Sequence, residues 1–451
     1  MKYAVVTFGC RVNQADSLGF EEDLRARGAV SAAPEYADLV VVNTCSVTAT
    51  ADQGARQTIR RIARDNPAAR IVVTGCYATR RPDEVRDLPH VVRVIANDDK
   101  PRLLQLIAPD VGLTTAARFG DGDGGCGATI EPGVAGRTAF TLRVQTGCAE
   151  RCSYCIIPAT RGRPRSVAVE AVLREVDRVA AAGFKEIALT GVHLGSYGRD
   201  LTPASSLVEL LQALAVRDDL LFRISSLEPM DCSREVVDLV ADGHAFAPHF
   251  HLPLQHASDR MLAAMRRPYT IGYYAALVDD IRARIPHASI GSDIIVGFPG
   301  ETDDDVDQLA SYLERSPLTH VHVFPYSDRP GTDATSMSDK VPGAVVRDRG
   351  RRIREVAKGL TDRFRQSQVG SVRRGLTIDD GSTVVTDNYL KLRIPPGRAR
   401  NERVSVRITS HHDGEVVGTV PASMAMVSDS DRLTSAASAS GASDCRSMRP
   451  R

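Results

Sequence analysis

Three cysteines within eight residues constrain this chain more than any other feature. The stretch Gly147-Cys148-Ala149-Glu150-Arg151-Cys152-Ser153-Tyr154-Cys155 spaces them C-x3-C-x2-C, just after the apolar run Phe140-Thr141-Leu142-Arg143-Val144. Soft thiolates held this close together suit one face of an iron–sulfur cluster. A four-iron cluster held by three of them keeps one iron open to a small molecule. Half of a zinc site is a second reading, but structural zinc takes paired knuckles with four ligands, and no second pair lies in sequence reach. Ordinary buried cysteines are a third reading, which the crowding opposes in a chain with nine cysteines in all. A disulfide framework does not suit so long a chain with an odd count.

The 451 residues have room for roughly two to four domains. A hydrophobic content of 43% and a charged content of 25% provide ample core material for a globular fold. The formal net charge is +1, so affinity for nucleic acid must come from local patches. Met1-Lys2-Tyr3-Ala4-Val5-Val6-Thr7 turns polar too soon for a signal peptide. No apolar run approaches a membrane span, so no membrane partner is expected. Free thiols fit a reducing compartment, and the expected localisation is cytoplasmic.

Residues 1–110 repeat one pattern. The β-branched runs Tyr3-Ala4-Val5-Val6, Leu39-Val40-Val41-Val42 and Ile71-Val72-Val73 end at Gly9-Cys10, Asn43-Thr44-Cys45 and Thr74-Gly75-Cys76. Helical spacing separates them, over Ser17 to Arg27 and Ala51 to Asp65. Alternating strands and helices predict an open parallel α/β domain. Ligands of such sheets bind beyond the strands' carboxyl ends. Cys10, Cys45 and Cys76 can therefore converge as a second three-cysteine cluster site. The bland alternative is three cysteines at ordinary loop positions.

The glycine-rich stretch Asp121 to Gly127 places a flexible linker over 111–136 and leaves Cys126 without partners. Over 137–366, six strand patterns (Ala139–Val144, Glu186–Leu189, Leu221–Ile224, Phe250–Leu252, Ile290–Val296, His320–Phe324) alternate with helical ones, which predicts a partial (β/α)6 barrel. The strand ends carry polar candidates: Gly191 after the second, Ser225 and Glu228 after the third, Gln255 after the fourth, and Gly297 to Thr302 opening a helix after the fifth. Hydroxyls and a carboxylate at 225–228 suit a ribose. His244, His249, His251 and His256 invite a metal reading, but no carboxylate or cysteine joins them at ligand spacing, so they are taken as ordinary histidines. No side chain is assigned as catalytic.

Residues 341–410 hold 16 Lys and Arg against 7 Asp and Glu. Arg347, Arg349, Arg351, Arg352 and Arg354 fall on one helical pattern, which reads as a solvated face or as part of an RNA-binding surface. Alternating runs at Val384–Val385, Tyr389–Ile394, Arg403–Ile408 and Glu415–Val420 predict a small β-barrel within 367–425. A Ser/Ala-rich tail over 426–451, with Cys445, reads as disordered.

Taken together, these residues resemble the radical S-adenosylmethionine (SAM) methylthiotransferases from about Lys2 to Val420. The resemblance rests on the Cys10/Cys45/Cys76 strand ends, the Cys148/Cys152/Cys155 loop and a terminal barrel similar to the TRAM domain. The phrases Ser225–Pro229, His251–Gln255 and Asp293–Thr302 support it. It implies two [4Fe-4S] clusters on the two cysteine triads, with SAM on the open iron of the barrel cluster. It also implies that this cluster, once reduced, cleaves SAM to methionine and a 5′-deoxyadenosyl radical that takes a hydrogen from an unactivated carbon. The N-terminal cluster would hold the sulfur that a second SAM methylates. The implied partners are the anticodon stem-loop of a tRNA, an electron donor such as flavodoxin or ferredoxin, and a sulfur donor, with the chain acting as a monomer. Thr7-Phe8-Gly9-Cys10-Arg11-Val12-Asn13-Gln14 is most similar to the branch acting on threonylcarbamoyladenosine, which usually has Lys at position 11. The branches acting on isopentenyladenosine and on a ribosomal-protein aspartate are the alternatives, and a non-catalytic iron–sulfur RNA-binding protein is the alternative from another class.

Overall fold

Two strands buried on both faces lie at the heart of the N-terminal sheet. Leu39–Thr44 is buried throughout, and Ile71, Val72 and Val73 of Arg70–Gly75 are fully buried. Strands covered on both sides need continuous β-branched runs rather than alternation, which is the pattern here. In this computed structural model, which describes residues 1–111, 130–133 and 138–421, the sheet order is Val30–Ser31, Lys2–Thr7, Leu39–Thr44, Arg70–Gly75, Val91–Ile95, all parallel. Most of the expected linker, with Cys126, and the expected tail, with Cys445, lie outside the described residues.

The helix Ala49–Asp65 covers one face of this sheet. Thr48 caps it by accepting the Ala51 N–H at 3.2 Å, and Ala55, Ile59, Ile62 and Ala63 form its buried stripe. Burying an isoleucine such as Ile59 contributes about 1.5–3 kcal/mol, and cutting it to alanine costs about 2–5 kcal/mol once the cavity is included. The edge strand Val91–Ile95 departs from the expected three-strand pattern. It pairs on one side only and keeps Arg93 half-exposed, so its apolar signal is weak.

The central domain is a partial barrel of six parallel strands. Phe140–Arg143, Glu186–Thr190 and Leu221–Ile224 form one half, and His249–His251, Ser289–Val296 and His320–Pro325 form the other. A bridge between Phe222 and Phe246, just before the fourth strand, and the Leu227 N–H donating to the His251 carbonyl at 2.9 Å join the halves. Helices with one apolar stripe cover the outside; Leu207–Ala215, for example, buries Leu207, Leu210, Leu211 and Leu214 behind a capping box of Ser206 and Glu209.

The long helix Gly343–Gln368 runs along the sixth barrel strand and the helix Asp303–Arg315. Its arginines are largely engaged within the chain. Arg349 pairs with Glu301 and Asp303, Arg352 with Asp307, and Arg351 with Asp348. The last domain is a closed five-stranded barrel ordered Val372–Ile378, Thr383–Thr386, Lys391–Arg393, Glu415–Thr419, Arg403–His412. Its first strand was hidden in the basic run, because Arg373 and Arg374 interrupt the apolar alternation. The expected strand at Tyr389–Ile394 begins later, because Tyr389 adopts φ +67° in the turn that leads into it.

Candidate two-cluster site

Cys45 and Cys76 directly follow the strands Leu39–Thr44 and Arg70–Gly75, and Cys10 follows Lys2–Thr7 after a turn through Phe8 and Gly9. These strands are neighbours, so the sheet itself gathers the three residues. Gly9 has φ +86°, and a Cβ on it would lie 2.5 Å from Cys45 Cβ and 2.6 Å from its Sγ. Only glycine lets the Cys10 turn close over Cys45. Burial, seconded by Cys76 and Cys10, pushes the Cys45 thiol up to about 11. Without a metal the Cys45 thiol stays protonated, whereas a bound metal deprotonates its thiol ligands outright.

Cationic and N–H groups meet the same sulfurs. Arg161, buried, lies near Cys76 and Cys10. Asn97 Nδ2 donates to Cys76 Sγ at 3.6 Å and to the Thr160 carbonyl at 2.7 Å. Lys100, also buried, lies near Cys76. Three thiols with two cations and an amide beside them form a donor set that suits an anionic sulfur cluster.

The barrel triad sits in the loop after the first barrel strand. Gly147 has φ +77°, with the Arg163 carbonyl 2.0 Å from where its Cβ would be, and the Cys148 N–H donates to the Gly162 carbonyl at 3.1 Å. Ser153 pins the middle of the loop. Its N–H donates to the Met265 carbonyl at 3.2 Å, its hydroxyl to the Ala264 carbonyl at 2.8 Å, and its own carbonyl accepts the Ala334 N–H at 2.8 Å. Tyr154 packs on Met261, Met265, Phe298 and Ala334. Burial pushes the Cys155 thiol up to about 12. Arg267 Nη1 lies 3.1 Å from Cys152 Sγ and pairs with Glu228. His193 Nε2 lies 2.8 Å from Asp231; burial opposes its protonation, but Asp231 and Cys148 outweigh that and raise its pKa to about 10.

The four candidates for holding a small molecule sit at strand ends as follows. Glu228 is drawn next to the cysteine loop through Arg267. Ser225 Oγ is buried and has no hydrogen-bond partner among the described residues, as expected of a hydroxyl awaiting a ligand. Gln255 adopts φ +69°, and its backbone bridges to the fifth strand, with N donating to Asp293 O at 2.8 Å and O accepting from Ile295 N at 2.9 Å. Gly191 packs on Gln145, whose Oε1 accepts the Val192 and His193 N–H groups at 2.9 Å each.

The elements that carry the two triads meet across a polar boundary. Asn13 donates to the Phe8 and Thr44 carbonyls at 2.8 and 2.9 Å and accepts from Arg161 at 2.5 Å. Arg161 ends the short helix Ile157–Arg161 that follows the barrel cysteine loop. The continuation of one cysteine loop thus supplies the cation beside the other triad. Asp16 pairs with Lys100 at 2.7 Å, with Arg143 of the first barrel strand, and with Arg161 at 3.8 Å. Burial favours the neutral Asp16 carboxyl, but these cations outweigh it and bring its pKa down to about 2.

Sequence reasoning missed Arg161, Arg267, Asp16 and Lys100. A signal existed for Asp16: Asn13, Asp16 and Ser17 share one face of the helix Arg11–Ala26, and that face is buried. Nothing local marks Arg267, which reaches its partners from the end of another unit.

Two family models match the chain: "Uncharacterized protein family UPF0004" over residues 2–97 and "Radical SAM superfamily" over residues 142–313. A threonylcarbamoyladenosine tRNA methylthiotransferase MtaB of Aquifex aeolicus is 35% identical over 87% of this chain and 96% of its own length. That of Bacillus subtilis is 33% identical over 86% and 88%. A tRNA-2-methylthio-N(6)-dimethylallyladenosine synthase of Carboxydothermus hydrogenoformans is 32% identical over 90% and 92%. Among solved structures, the radical SAM methyltransferase TsrM of Kitasatospora setae, with cobalamin and a [4Fe-4S] cluster bound, overlays with a TM-score of 0.53 at 18% identity, covering 74% of each chain. This last likeness concerns the fold.

Proposed function

This chain belongs to the radical SAM methylthiotransferases, and from that premise we propose that it places a methylthio group on C2 of N6-threonylcarbamoyladenosine beside the anticodon of a tRNA. The observation that supports this reading is the polar boundary between the two triad-bearing units, where Arg161, from the helix that follows the barrel cysteine loop, lies beside Cys76. Cys148, Cys152 and Cys155 would hold one [4Fe-4S] cluster and Cys10, Cys45 and Cys76 the other. Ser225 and Glu228 would meet SAM, with Gly191 and Gln255 framing its pocket. When bound, these groups supply the one-electron and sulfur-carrying chemistry, and the protein supplies placement.

That placement is readable in the chain's own contacts. Arg267 holds Glu228 and Cys152 in fixed register. The packing of Tyr154 on Phe298 and Met265 keeps water from the back of the cysteine loop. Arg161, Lys100 and Asn97 stabilise negative charge on the N-terminal sulfurs. The tRNA, an electron donor and a sulfur donor complete the reaction, in the cytoplasm.

Mass spectrometry of tRNA nucleosides from a strain lacking this protein tests the substrate. Loss of the methylthio form of threonylcarbamoyladenosine alone is the expected result. Loss of the methylthio isopentenyl nucleoside instead would overturn the assignment in favour of the second branch.

A further inference from the structure

The inner face of the last three barrel strands carries a bank of imidazoles that neither cysteine triad uses. His249 and His251 lie on the fourth strand, and His320 and His322 on the sixth. Ring centroids are 6.2 Å apart for His249–His320, 6.1 Å for His251–His320 and 5.6 Å for His251–His322. The fifth strand runs between them, with Gly291 in register with His251 and His320, and Asp293 with His322. A Cβ on Gly291 would lie 2.0 Å from His320 Nε2, so the missing side chain makes room for the rings.

One carboxylate oxygen gathers two of these imidazoles. Asp293 Oδ1 lies 3.1 Å from His251 Nε2 and 3.1 Å from His322 Nδ1. One ligand atom from each of the three residues lies within 4.8 Å of the other two. We propose that His251, Asp293 and His322 form a site for a divalent transition-metal ion of the zinc class, separate from both cysteine triads.

Two imidazoles and a carboxylate are borderline-to-hard donors, which favour zinc-class ions over the soft partners of thiolates. The 3.1 Å separations are close to the edge of a tetrahedron built on bonds of about 2.1 Å, roughly 3.4 Å. Three protein ligands leave a fourth position open, as in zinc sites that accept water or substrate. The His322 side chain is 59% exposed while those of His251 and Asp293 are 14% and 26% exposed, so the open position faces the accessible side of the barrel. An oxygen of a bound anionic substrate is the chemical class of ligand that position takes.

The simpler arrangement is two histidines hydrogen-bonded to one aspartate with no ion, and zinc content decides between the two. The full chain, with both clusters reconstituted anaerobically, is equilibrated with zinc at micromolar free concentration, desalted, and assayed for zinc and iron by mass spectrometry. About one zinc per chain above the cluster iron is expected. His322→Ala, at an accessible position, should lose that zinc while keeping its iron, and His322→Cys, which restores a donor, should regain it. Wild-type protein without zinc, or a His322→Ala variant that retains it, would overturn the site. Loss of iron together with zinc would overturn the separation from the cysteine triads.

Discussion

Arg329 and Asp52 lie 2.7 Å apart across the boundary between the barrel and the N-terminal sheet, with side chains only 3% and 7% exposed. The same guanidinium donates to the Ser46 carbonyl at 2.7 Å and to its hydroxyl at 2.9 Å, one residue beyond Cys45. Arg80 shares Asp52 from the N-terminal side, 2.5 Å away. The loop after the sixth barrel strand therefore fixes the position of a candidate cluster ligand that it does not touch.

Arg329→Met should separate the two halves of the chemistry. Asp52 keeps Arg80, so the loss of stability should fall near the low end of the range for broken buried pairs, about 3 kcal/mol in an anaerobic denaturant titration. SAM cleavage should stay within about twofold of wild type, because the barrel loop is untouched. Methylthio transfer should fall roughly a hundredfold, the scale of misplacing reacting groups by about an ångström. Equal losses in both assays would show that Arg329 does no more than hold the fold.

Asp16 gives the boundary a sensitivity to acid. Its folded pKa is about 2 against an ordinary 3.8. A depressed carboxyl contributes stability that is complete above the unfolded value and is lost as pH falls through the folded one. The window is thus about pH 4 to 2, and the contribution is roughly 2 kcal/mol. Asp16→Asn should flatten the wild-type decline in that window. At neutral pH it should cost about 3–5 kcal/mol, because Lys100 and Arg161 remain buried without their carboxylate. Denaturant midpoints of both proteins at pH 5 and pH 3 give the comparison.

What the sequence made legible follows from how local each signal is. The buried Leu39–Val42 and Ile71–Val73 runs are continuously apolar and mostly β-branched, so parallel strands and the cysteines at their ends were readable directly. The six barrel strands and their helices were readable for the same reason, since each apolar face repeats within one element. Arg267, Asp16 and the Asp293 carboxylate between His251 and His322 were not. Each acquires its role from partners on other elements, and the register that joins Gly291 to His320 exists only after the sheet forms. The basic helix shows the converse. Its arginines suggested a nucleic-acid surface, and the fold gives Arg349 and Arg352 carboxylates on the neighbouring helix.

Tyr389 ties three domains at one ring. It sits 4.7 Å from the His249 ring and 4.7 Å from the Arg223 guanidinium, and its hydroxyl accepts from Arg11 at 2.7 Å. Tyr389→Phe removes only the last contact and should cost about 1 kcal/mol. Tyr389→Ala also removes the stacking on His249 and the cation–π contact, and should lower stability by about 2–4 kcal/mol. Differential scanning calorimetry distinguishes the outcomes. If the terminal barrel docks through this ring, the alanine variant should melt in more than one step while the phenylalanine variant keeps the wild-type shape.

The proposed division of labour between the triads predicts different phenotypes for two alanine substitutions. Cys152 is held by Arg267 in the barrel loop, and Cys45 lies under the Gly9 turn in the other domain. Cys152→Ala should lower the reconstituted iron content by about four and abolish SAM cleavage, leaving Arg267 paired with Glu228. Cys45→Ala should lower the iron by a similar amount yet leave SAM cleavage in place, because no barrel contact changes. It should stop sulfur insertion, so 5′-deoxyadenosine should accumulate without methylthiolated nucleoside. Iron analysis, product chromatography and nucleoside mass spectrometry read the three quantities independently. A Cys45→Ala enzyme that still methylthiolates tRNA would remove the N-terminal triad from the chemistry, and a Cys152→Ala enzyme that still cleaves SAM would remove the barrel loop.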